Sequence, residues 1–348
     1  MSLGGGVFIT QDKTLPGSYI NFVNTNNVSS ALSERGSVAI ALPLNKNAGT
    51  VIELTQSDFI KNSESLLGVK YTDKSVLALR EIFCHANKIY VYDGGETVVV
   101  TDALNALEAY EFNVLCAYTD VAEDVAAYIS MVKNWRDSMG KKCQLVVYNQ
   151  TSPAPNHEGV INVVSTISDE EVDAFALVAW VAGAEAGCEI NESCTNMLYN
   201  GELTIVTNKT QSQLEACIKA GQIAFHLVYG EVRLLEDINS LTETTETKGE
   251  DFKANQTIRV IDQIANDIAK LFNTKYLGQI PNNASGRVSL WGDIVAHHRE
   301  LETLEAIENF DATLVTVEQG ATKKSVVVND VITVVNSMAQ IYMTVVVQ

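Results

Sequence analysis

The sequence predicts an α/β protein whose central sheet is mixed but largely parallel and is flanked by helices. Of the 348 residues, 46% are hydrophobic, so a large buried core can form. Short apolar runs that suit strands alternate with amphipathic runs that suit helices, which is the pattern of successive βαβ units. Extended segments near both ends, the C-terminal one rich in β-branched residues, add arms to this core.

Residues 1–27 are predicted to form an arm rather than a folded unit, because they contain few helix signals. Gly4-Gly5-Gly6 is flexible and lacks the GK[ST] ending of a phosphate-binding loop, and Pro16-Gly17 marks a turn. Residues 18–23 alternate in polarity and predict a strand. The α/β core is expected to follow over residues 28–310.

Within the core, apolar runs predict strands and a period of about 3.6 residues predicts helices. The predicted strands span residues 38–44, 88–92, 112–117, 144–148, 159–164, 203–206, 223–228 and 232–235. The predicted helices span residues 58–67, 75–86, 102–110, 120–139, 168–187, 211–220, 256–272 and 288–307. A Thr-Asp cap should begin the helix at 102–110, and Ser168 should cap the helix at 168–187. Residues 236–252 should form an exposed loop. The seventh helix carries one apolar stripe, formed by Ile258, Ile261, Ile264, Ile268 and Leu271.

Residues 311–348 predict a terminal β region, with one strand over about 325–335 and a second over 340–347, separated by Asn336-Ser337. The second strand contains no proline, glycine or charged residue. Left uncovered, such an apolar strand is an aggregation hazard, so we expect it to be paired. Its partner can be a strand of its own domain or the sheet edge of a neighbouring subunit, and the residues alone leave both open.

The formal net charge of −19 limits the classes of partner. Nucleic acid and anionic membrane surfaces both select clustered Lys and Arg, so the composition argues against either as a direct partner. No Lys or Arg occurs between Lys142 and Lys209, an interval with nine acidic residues. It is predicted to be a solvated acidic surface or a face that matches a basic partner. The longest apolar run, 174–184, is too short to span a bilayer, and no signal-peptide pattern begins the sequence.

The six cysteines show no CxxC pair and no regular spacing; they stand at positions 84, 116, 143, 188, 194 and 217. Cys84, Cys116 and Cys143 lie inside apolar runs and are expected to be buried. We therefore expect six reduced thiols in a reducing compartment and no disulfide bond.

No catalytic, cofactor-binding or metal-binding residue is predicted, because no GxSxG elbow and no HExxH motif is present. His297 and His298, near Glu300, are the best metal-like cluster. Neighbouring residues on a helix point about 100° apart, so a solvent-exposed or interface role is favoured over a metal. His157 and Glu158 could act as acid and base, although a role in a turn fits them better. The chain is expected not to be an enzyme; the alternative is an α/β enzyme whose site these motifs do not reveal.

Eight stretches spread over most of the chain resemble one protein family. They are PGSYINF (16–22), SERGSVAIALPL (33–44), NALEAYEFNVL (105–115), WVAGA (180–184), IRVIDQIANDIAKLF (258–272), NNASGR (282–287), AIENFDA (306–312) and MAQIYMTVVV (338–347). None is a chemical signature alone. Their order and spacing together are similar to those of the tail sheath proteins of contractile-tailed bacteriophages and of related prophage-derived particles and bacteriocins.

The resemblance implies a structural subunit without cofactors that stacks as rings around a rigid inner tube and contracts to drive that tube through a target envelope. The implied partners are further copies of the same chain, the tail tube protein, and the baseplate and tail terminator proteins. Neither nucleic acid nor a membrane is among them. The implied location is the virion tail or a tail-like particle, assembled in the cytoplasm of the bacterial host.

In the family that the chain resembles, N-terminal and C-terminal arms add strands to the sheets of neighbouring subunits. The resemblance therefore favours strand exchange over pairing within the chain. The matching residues are Ser18, Tyr19, Ile20, Asn21 and Phe22 in one arm and Ile341, Tyr342, Met343, Thr344, Val345, Val346 and Val347 in the other. Many members also carry an outer domain after the strand that matches KIYVY. Here residues 93–104 lead directly into NALEAYEF, so a minimal sheath without that domain is expected.

Overall fold

The computed structural model describes residues 32–150 and 154–347 and is built around a seven-stranded sheet. Its strands are β1 (Ser37–Leu42), β2 (Val51–Thr55), β3 (Lys88–Asp93), β4 (Val114–Cys116), β5 (Gln144–Tyr148), β6 (Val160–Val163) and β7 (Gln222–Ile223). They lie in the order β2-β3-β1-β4-β5-β6-β7. All neighbouring pairs are parallel except β2 and β3, which are antiparallel. The predicted mixed, largely parallel α/β fold is confirmed.

Helices cover both faces of this sheet. In chain order they are α1 (Gln56–Leu67), α2 (Leu77–Ile82), α3 (Val100–Leu107), α4 (Ala122–Asn134), α5 (Leu177–Gly187) and α6 (Gln211–Lys219). Successive residues of β1 alternate between the two layers: Val38 and Ile40 pack with α2 and α5, whereas Ala39 and Ala41 pack with α3 and α4. Because both faces are buried, the parallel strands are mostly apolar.

α5 lies in the middle of one layer, and every residue from Leu177 to Ala186 is buried. Its close contact with α2 depends on Gly183. A Cβ atom at this position would lie 2.4 Å from the carbonyl oxygen of Ile82, so any larger side chain would push the two helices apart. The WVAGA run therefore reflects helix packing in the core.

Some predicted boundaries are wrong because tertiary contacts override local signals. The short edge strand β2 is not predicted at all. The helix expected to begin at Ser168 begins at Leu177, since the carboxylate of Asp169 accepts a hydrogen bond from the backbone of Thr204 (2.6 Å) and holds the chain in a loop. α3 begins after Val99 without the expected Thr-Asp side-chain cap.

After α6 the chain forms a separate antiparallel hairpin, β8 (Phe225–Val228) and β9 (Glu231–Leu234). The predicted strand 223–228 is therefore two strands, because β7 pairs with the central sheet and β8 pairs with β9. Residues 203–206 form only an isolated bridge. The loop 236–252 is present, but its residues Asp237, Asn239 and Ser240 are buried, so its predicted exposure is wrong there.

Two long helices, α7 (Asn255–Leu271) and α8 (Ala284–Thr303), follow. α8 begins earlier than predicted, because the Asn283 side chain accepts a hydrogen bond from the backbone of Gly286 (2.9 Å) and caps the helix. On α7, the polar face is the buried one, while most of the predicted apolar stripe is only partly buried. This reversal arises because the polar face lies against buried partners in the α/β body.

The polar junction between α7 and the α/β body is built on two arginines. Arg259 donates to Glu185 (2.7 Å) on α5 and to Asp237 (3.3 Å), and all three residues are buried. Arg136 donates to both carboxylate oxygens of Asp262 (2.5 and 2.8 Å). Burial and the neighbouring Asp237 raise the pKa of Glu185. Burial opposes the charge of Asp237, but Arg259 and a hydrogen bond from Glu185 outweigh it and lower the pKa of that carboxyl.

The C-terminal β region consists of two small antiparallel sheets. Their strands are β10 (Ile307–Glu308), β11 (Thr316–Gln319), β12 (Val326–Asn329) and β13 (Thr333–Val334). β10 pairs with β13, and β11 pairs with β12. The predicted strand 325–335 is interrupted at Asp330, whose carboxylate contacts His298 Nε2 at 2.6 Å. Residues 335–347 form no strand within this chain.

Candidate functional site

The C-terminal residues predicted for strand exchange lie in a segment without regular structure, which we call the C-terminal segment (residues 338–347). All of them are exposed. For the six large apolar residues of the seven candidates, the exposed fraction ranges from 70% at Val345 to 90% at Val347. Monomeric proteins rarely expose so many neighbouring apolar side chains unless these side chains bind something.

The last contacts with the rest of the chain precede this segment. The backbone N–H of Val335 donates to Ala306 (3.1 Å), and that of Ser337 donates to the side chain of Gln256 (2.9 Å). From Met338 onward, the described residues form only a local hydrogen bond, between Tyr342 and Gln340 (2.8 Å). Among the described residues, this segment pairs with no strand of its own chain, and strand exchange with a neighbouring copy stays a prediction.

Two sheet edges lie in the same region. Within the described residues, the β11–β12 sheet has only two strands, so each strand has one edge without a hydrogen-bonded neighbour. On this sheet and just beyond it, Val327, Val328 and Val331 are exposed. Sequence reasoning missed these edges because it predicted one continuous strand. Asp330, a charged residue inside the valine-rich run, was the signal that could have divided it.

Charge does not oppose contact between copies at this segment. From Val331 to Val347 the chain carries no charged residue, although the whole protein has a net charge of −19. An uncharged apolar segment avoids the like-charge repulsion that an acidic protein meets when it packs against itself. The other predicted arm residues, Ser18, Tyr19, Ile20, Asn21 and Phe22, lie outside the described residues.

Of the two roles predicted for His297 and His298, solvent exposure is wrong, because both side chains are buried. The alternative role at an interface stays a prediction. The prediction that they point apart is also wrong, since their Nδ1 atoms lie 3.2 Å from each other. Helical geometry separates the two Cβ directions, but rotation of the side chains brings the rings together. Each Nε2 atom contacts a carboxylate, one on Asp267 and one on Asp330.

His157 and Glu158 lie in a buried turn. The Nδ1 atom of His157 accepts a hydrogen bond from the backbone N–H of Gly159 (3.0 Å), so its ring proton is on Nε2, which faces Asp137 (3.3 Å). Glu158 accepts a hydrogen bond from Lys248 (2.7 Å). A metal ion at Nε2 would have to displace that proton, so these contacts fit a residue that fixes a loop.

Glu185, Cys194 and Asp237 are also close enough to one another to surround a cation. The guanidinium group of Arg259 already contacts all three: Glu185 at 2.7 Å, Asp237 at 3.3 Å and Cys194 Sγ at 3.8 Å. Arg259 therefore supplies the cation at this place. No helix among the described residues is both long and apolar enough to cross a bilayer.

Two family models match the sequence in consecutive stretches. The model described as the phage tail sheath protein central domain matches residues 95–240, and that described as the phage tail sheath C-terminal domain matches residues 247–348. Together they cover more than two thirds of the chain.

Two curated proteins illustrate the similarity. The tail sheath protein of Clostridium phage phiCD119 is 26% identical over 274 residues, which are 78% of this chain and 76% of that protein. The protein YqbK of Bacillus subtilis is 30% identical over 224 residues, which are 61% of this chain. This chain spans 47% of the length of YqbK, or about half.

Solved structures show the same fold. The sheath tail protein from Desulfitobacterium hafniense has a TM-score of 0.75 at 24% identity, over 92% of this chain and 100% of that chain. The helical sheath of the anti-feeding prophage in its contracted state has a TM-score of 0.72 at 16% identity, over 96% of this chain and 99% of that chain. The two matching models, the matched tail sheath protein and this shared fold agree, and the chain belongs to the phage tail sheath protein family.

Proposed function

We propose that this chain is the sheath subunit of a contractile phage tail or tail-like particle. It polymerises as stacked rings around an inner tube, and contraction of the polymer drives the tube through a target envelope without catalytic turnover. The observation that carries the proposal is the exposed, apolar C-terminal segment, whose only hydrogen bond among the described residues is the local one between Tyr342 and Gln340. A monomeric enzyme gains nothing from such a segment, whereas a polymer subunit can bury it on a neighbour.

The proposed link between subunits is strand exchange. The C-terminal segment of one copy pairs with an open edge of the β11–β12 sheet of another copy, where exposed Val327 and Val328 offer apolar contact. The N-terminal residues Ser18, Tyr19, Ile20, Asn21 and Phe22 supply a second strand of the same kind. Two such strands per subunit join each copy to more than one neighbour, as a ring-and-helix polymer requires.

The energetics of one exchanged strand are close to balanced. In an extended segment, Ile341, Met343, Val345 and Val347 share one face. Burying these four side chains contributes roughly 6–12 kcal/mol, at about 1.5–3 kcal/mol each. Ordering seven residues opposes this by roughly 7–14 kcal/mol. Main-chain hydrogen bonds, worth about 0.5–1.5 kcal/mol each, and further contacts between the subunits then decide whether the exchanged strand stays bound. We therefore expect assembly to be cooperative and to begin only above a threshold concentration.

The proposed partners follow from the same role. They are further copies of this chain, the tail tube protein inside the polymer, and the baseplate and tail terminator proteins at its ends. The proposed location is the virion tail or a tail-like particle assembled in the cytoplasm of the bacterial host. The net charge of −19 supports a partner list without nucleic acid or an anionic membrane.

The proposed particle has a thin wall. β3 ends at Asp93 and α3 begins at Val100, so only a short loop stands where many sheath proteins carry an outer domain. This loop is held against the body by Asp93, whose carboxylate accepts hydrogen bonds from the backbone of Asn45 (2.9 Å) and Gly95 (2.9 Å). The connection supports a minimal sheath subunit made of the α/β body and the C-terminal region.

Electron microscopy of the purified full-length protein over a concentration series tests this proposal. Hollow rings or tubules with a central channel should appear above the threshold concentration. A matched chain that lacks residues 340–348 should keep the same thermal unfolding curve and form no such particles. A full-length protein that stays monomeric at every concentration, or that forms only solid filaments, would overturn the proposal. Tubules that also form without residues 340–348 would overturn the exchange of this strand while leaving the sheath role in place.

A further inference from the structure

A cleft of about 100 Å³ opens beside β12, between this strand and the connection that leads from α7 to α8. Tyr276 and Leu290 line its buried part, whereas Leu277 and Ile280 line its exposed part. Val326 of β12 forms one of its walls. A single water molecule requires only about 10–15 Å³, so the cleft has room for an apolar side chain.

The cleft lies on the side of β12 that has no neighbouring strand. The connection before α8 is fixed to the residues that lead into β12, because Asn282 Nδ2 donates to the carbonyl oxygens of Lys323 (3.1 Å) and Ser325 (2.8 Å). Among the described residues, Lys324 and Val326 line the cleft, whereas no residue of β11 does. A strand that is added to the open edge of β12 would therefore pass over the cleft.

The charges around the cleft favour a second copy of this acidic chain as the partner. Arg287 and Lys324 both line the cleft and make it basic. The guanidinium group of Arg287 donates to the amide oxygen of Asn282 (3.1 Å), a neutral partner that does not compensate its charge. Because the whole chain has a net charge of −19, these cations attract another copy rather than repel it.

The C-terminal segment supplies a side chain that suits this cleft. In an extended segment, the aliphatic face consists of Ile341, Met343, Val345 and Val347. Met343 has the longest and most flexible side chain of the four, and a thioether makes favourable contacts with aromatic rings. Two such rings line the cleft: those of Phe272 and Tyr276 are stacked, with centroids 6.4 Å apart and an interplanar angle of 10°.

We propose that the cleft beside β12 receives the Met343 side chain of a second copy of this chain when the C-terminal segment of that copy adds to the open edge of β12. The cleft thereby sets the register of the exchanged strand, because a shift by one residue would turn the opposite face toward it. This inference rests on the proposed strand exchange and adds the contact that fixes its register.

Sedimentation of full-length variants over a concentration series tests the proposal from the side of the segment. Met343→Ala should raise the assembly threshold about thirty-fold, as expected at the lower limit for truncation of a buried methionine. Met343→Leu keeps most of the apolar volume and should raise it by less than about tenfold. Both variants should unfold at the temperature of the wild type, because Met343 is 76% exposed in the unassembled chain.

Leu277→Trp tests the cleft from the other side, since it fills the cleft and leaves the C-terminal segment unchanged. Its threshold should rise about as much as that of Met343→Ala. Leu314→Trp is the matched control, because it makes the same change at an exposed position of the same region that does not line the cleft. The double variant Met343→Ala/Leu277→Trp should have the threshold of the single variants rather than their combined rise, because both changes remove one contact.

Oxidation of methionine provides a readout that does not depend on the threshold. Hydrogen peroxide converts an accessible thioether into a sulfoxide, which mass spectrometry detects. Met343 should be oxidised several times more slowly in wild-type polymers than in the unassembled chain. In polymers of Leu277→Trp, formed above their raised threshold, this protection should be lost.

The outcomes separate this inference from the proposed sheath function. A wild-type chain that forms no polymers would overturn both. Wild-type polymers in which Met343 is oxidised as fast as in the unassembled chain would overturn the cleft and leave the sheath role in place. The same holds for an unchanged threshold in Met343→Ala or Leu277→Trp, and for an equal rise in Leu314→Trp.

Discussion

Replacing Ile341 by alanine tests whether the C-terminal segment links copies of this chain. Ile341 is 85% exposed, so the monomer gains little from its side chain. Substitutions at such positions usually change the free energy of unfolding by no more than about 0.5 kcal/mol. We therefore expect Ile341→Ala to leave the stability of the monomer unchanged and to act only on assembly.

The size of the assembly effect follows from the burial that strand exchange would provide. Truncating a buried isoleucine to alanine costs about 2–5 kcal/mol, because transfer free energy is lost and a cavity remains. Taking the lower limit, each subunit would lose about 2 kcal/mol of assembly free energy. Since 1.4 kcal/mol is a factor of ten in an equilibrium constant, the threshold concentration should rise about thirty-fold.

Sedimentation of polymers over a concentration series measures this threshold, and thermal unfolding measures the monomer. Ile60→Ala is the matched control. It removes the same atoms from a side chain on α1 that is 51% exposed and lies outside the C-terminal region. Its threshold should equal that of the wild type.

Two results would refute the reasoning. An unchanged threshold for Ile341→Ala would show that no neighbour buries this side chain. An equal rise for Ile60→Ala would show that assembly depends on exposed apolar surface in general. A lower melting temperature for Ile341→Ala alone would instead place the C-terminal segment on its own chain.

Three further outcomes follow from buried groups. Arg259→Leu should cost about 3–5 kcal/mol in urea unfolding, because it leaves the carboxylate of Asp237 buried without a cation, whereas Arg233→Leu, at a less buried ion pair, should cost about 1 kcal/mol or less. Because burial raises the pKa of Glu185, the folded protein keeps a proton that the unfolded chain releases above about pH 4.3. The free energy of unfolding should therefore decline as pH rises beyond that value, and Glu185→Gln should make this decline shallower. An unchanged decline in Glu185→Gln would show that other groups cause it. Thiol titration should find six free cysteines after denaturation, with a deficit of two indicating a disulfide. In the native protein Cys217 should react first, since burial raises the pKa of the other half-buried thiol, Cys84, to about 11.

Local patterns in the sequence were sufficient for much of the fold. The strand predicted over residues 144–148 is β5, and the helix predicted over residues 211–220 ends only one residue earlier in the structure. The sequence marks both elements locally. Every residue of β5 is buried, and the side chain of Thr210 caps the first turn of α6. β2 escaped detection because an edge strand buries little and mixes Glu53 with apolar residues.

The sequence by itself determined the α/β class, the run of strands and helices, and an uncharged apolar segment near the C-terminal end. Only the tertiary structure decided which face of α7 is buried and what surrounds His297 and His298. The partners that make those polar groups stable, Glu185, Asp237 and Asp330, come from elements far away along the chain. Periodicity reports only how polarity varies along one element. Whether a charged side chain can be buried depends on a countercharge brought within hydrogen-bond distance by the fold, and that information lies in the contacts between elements.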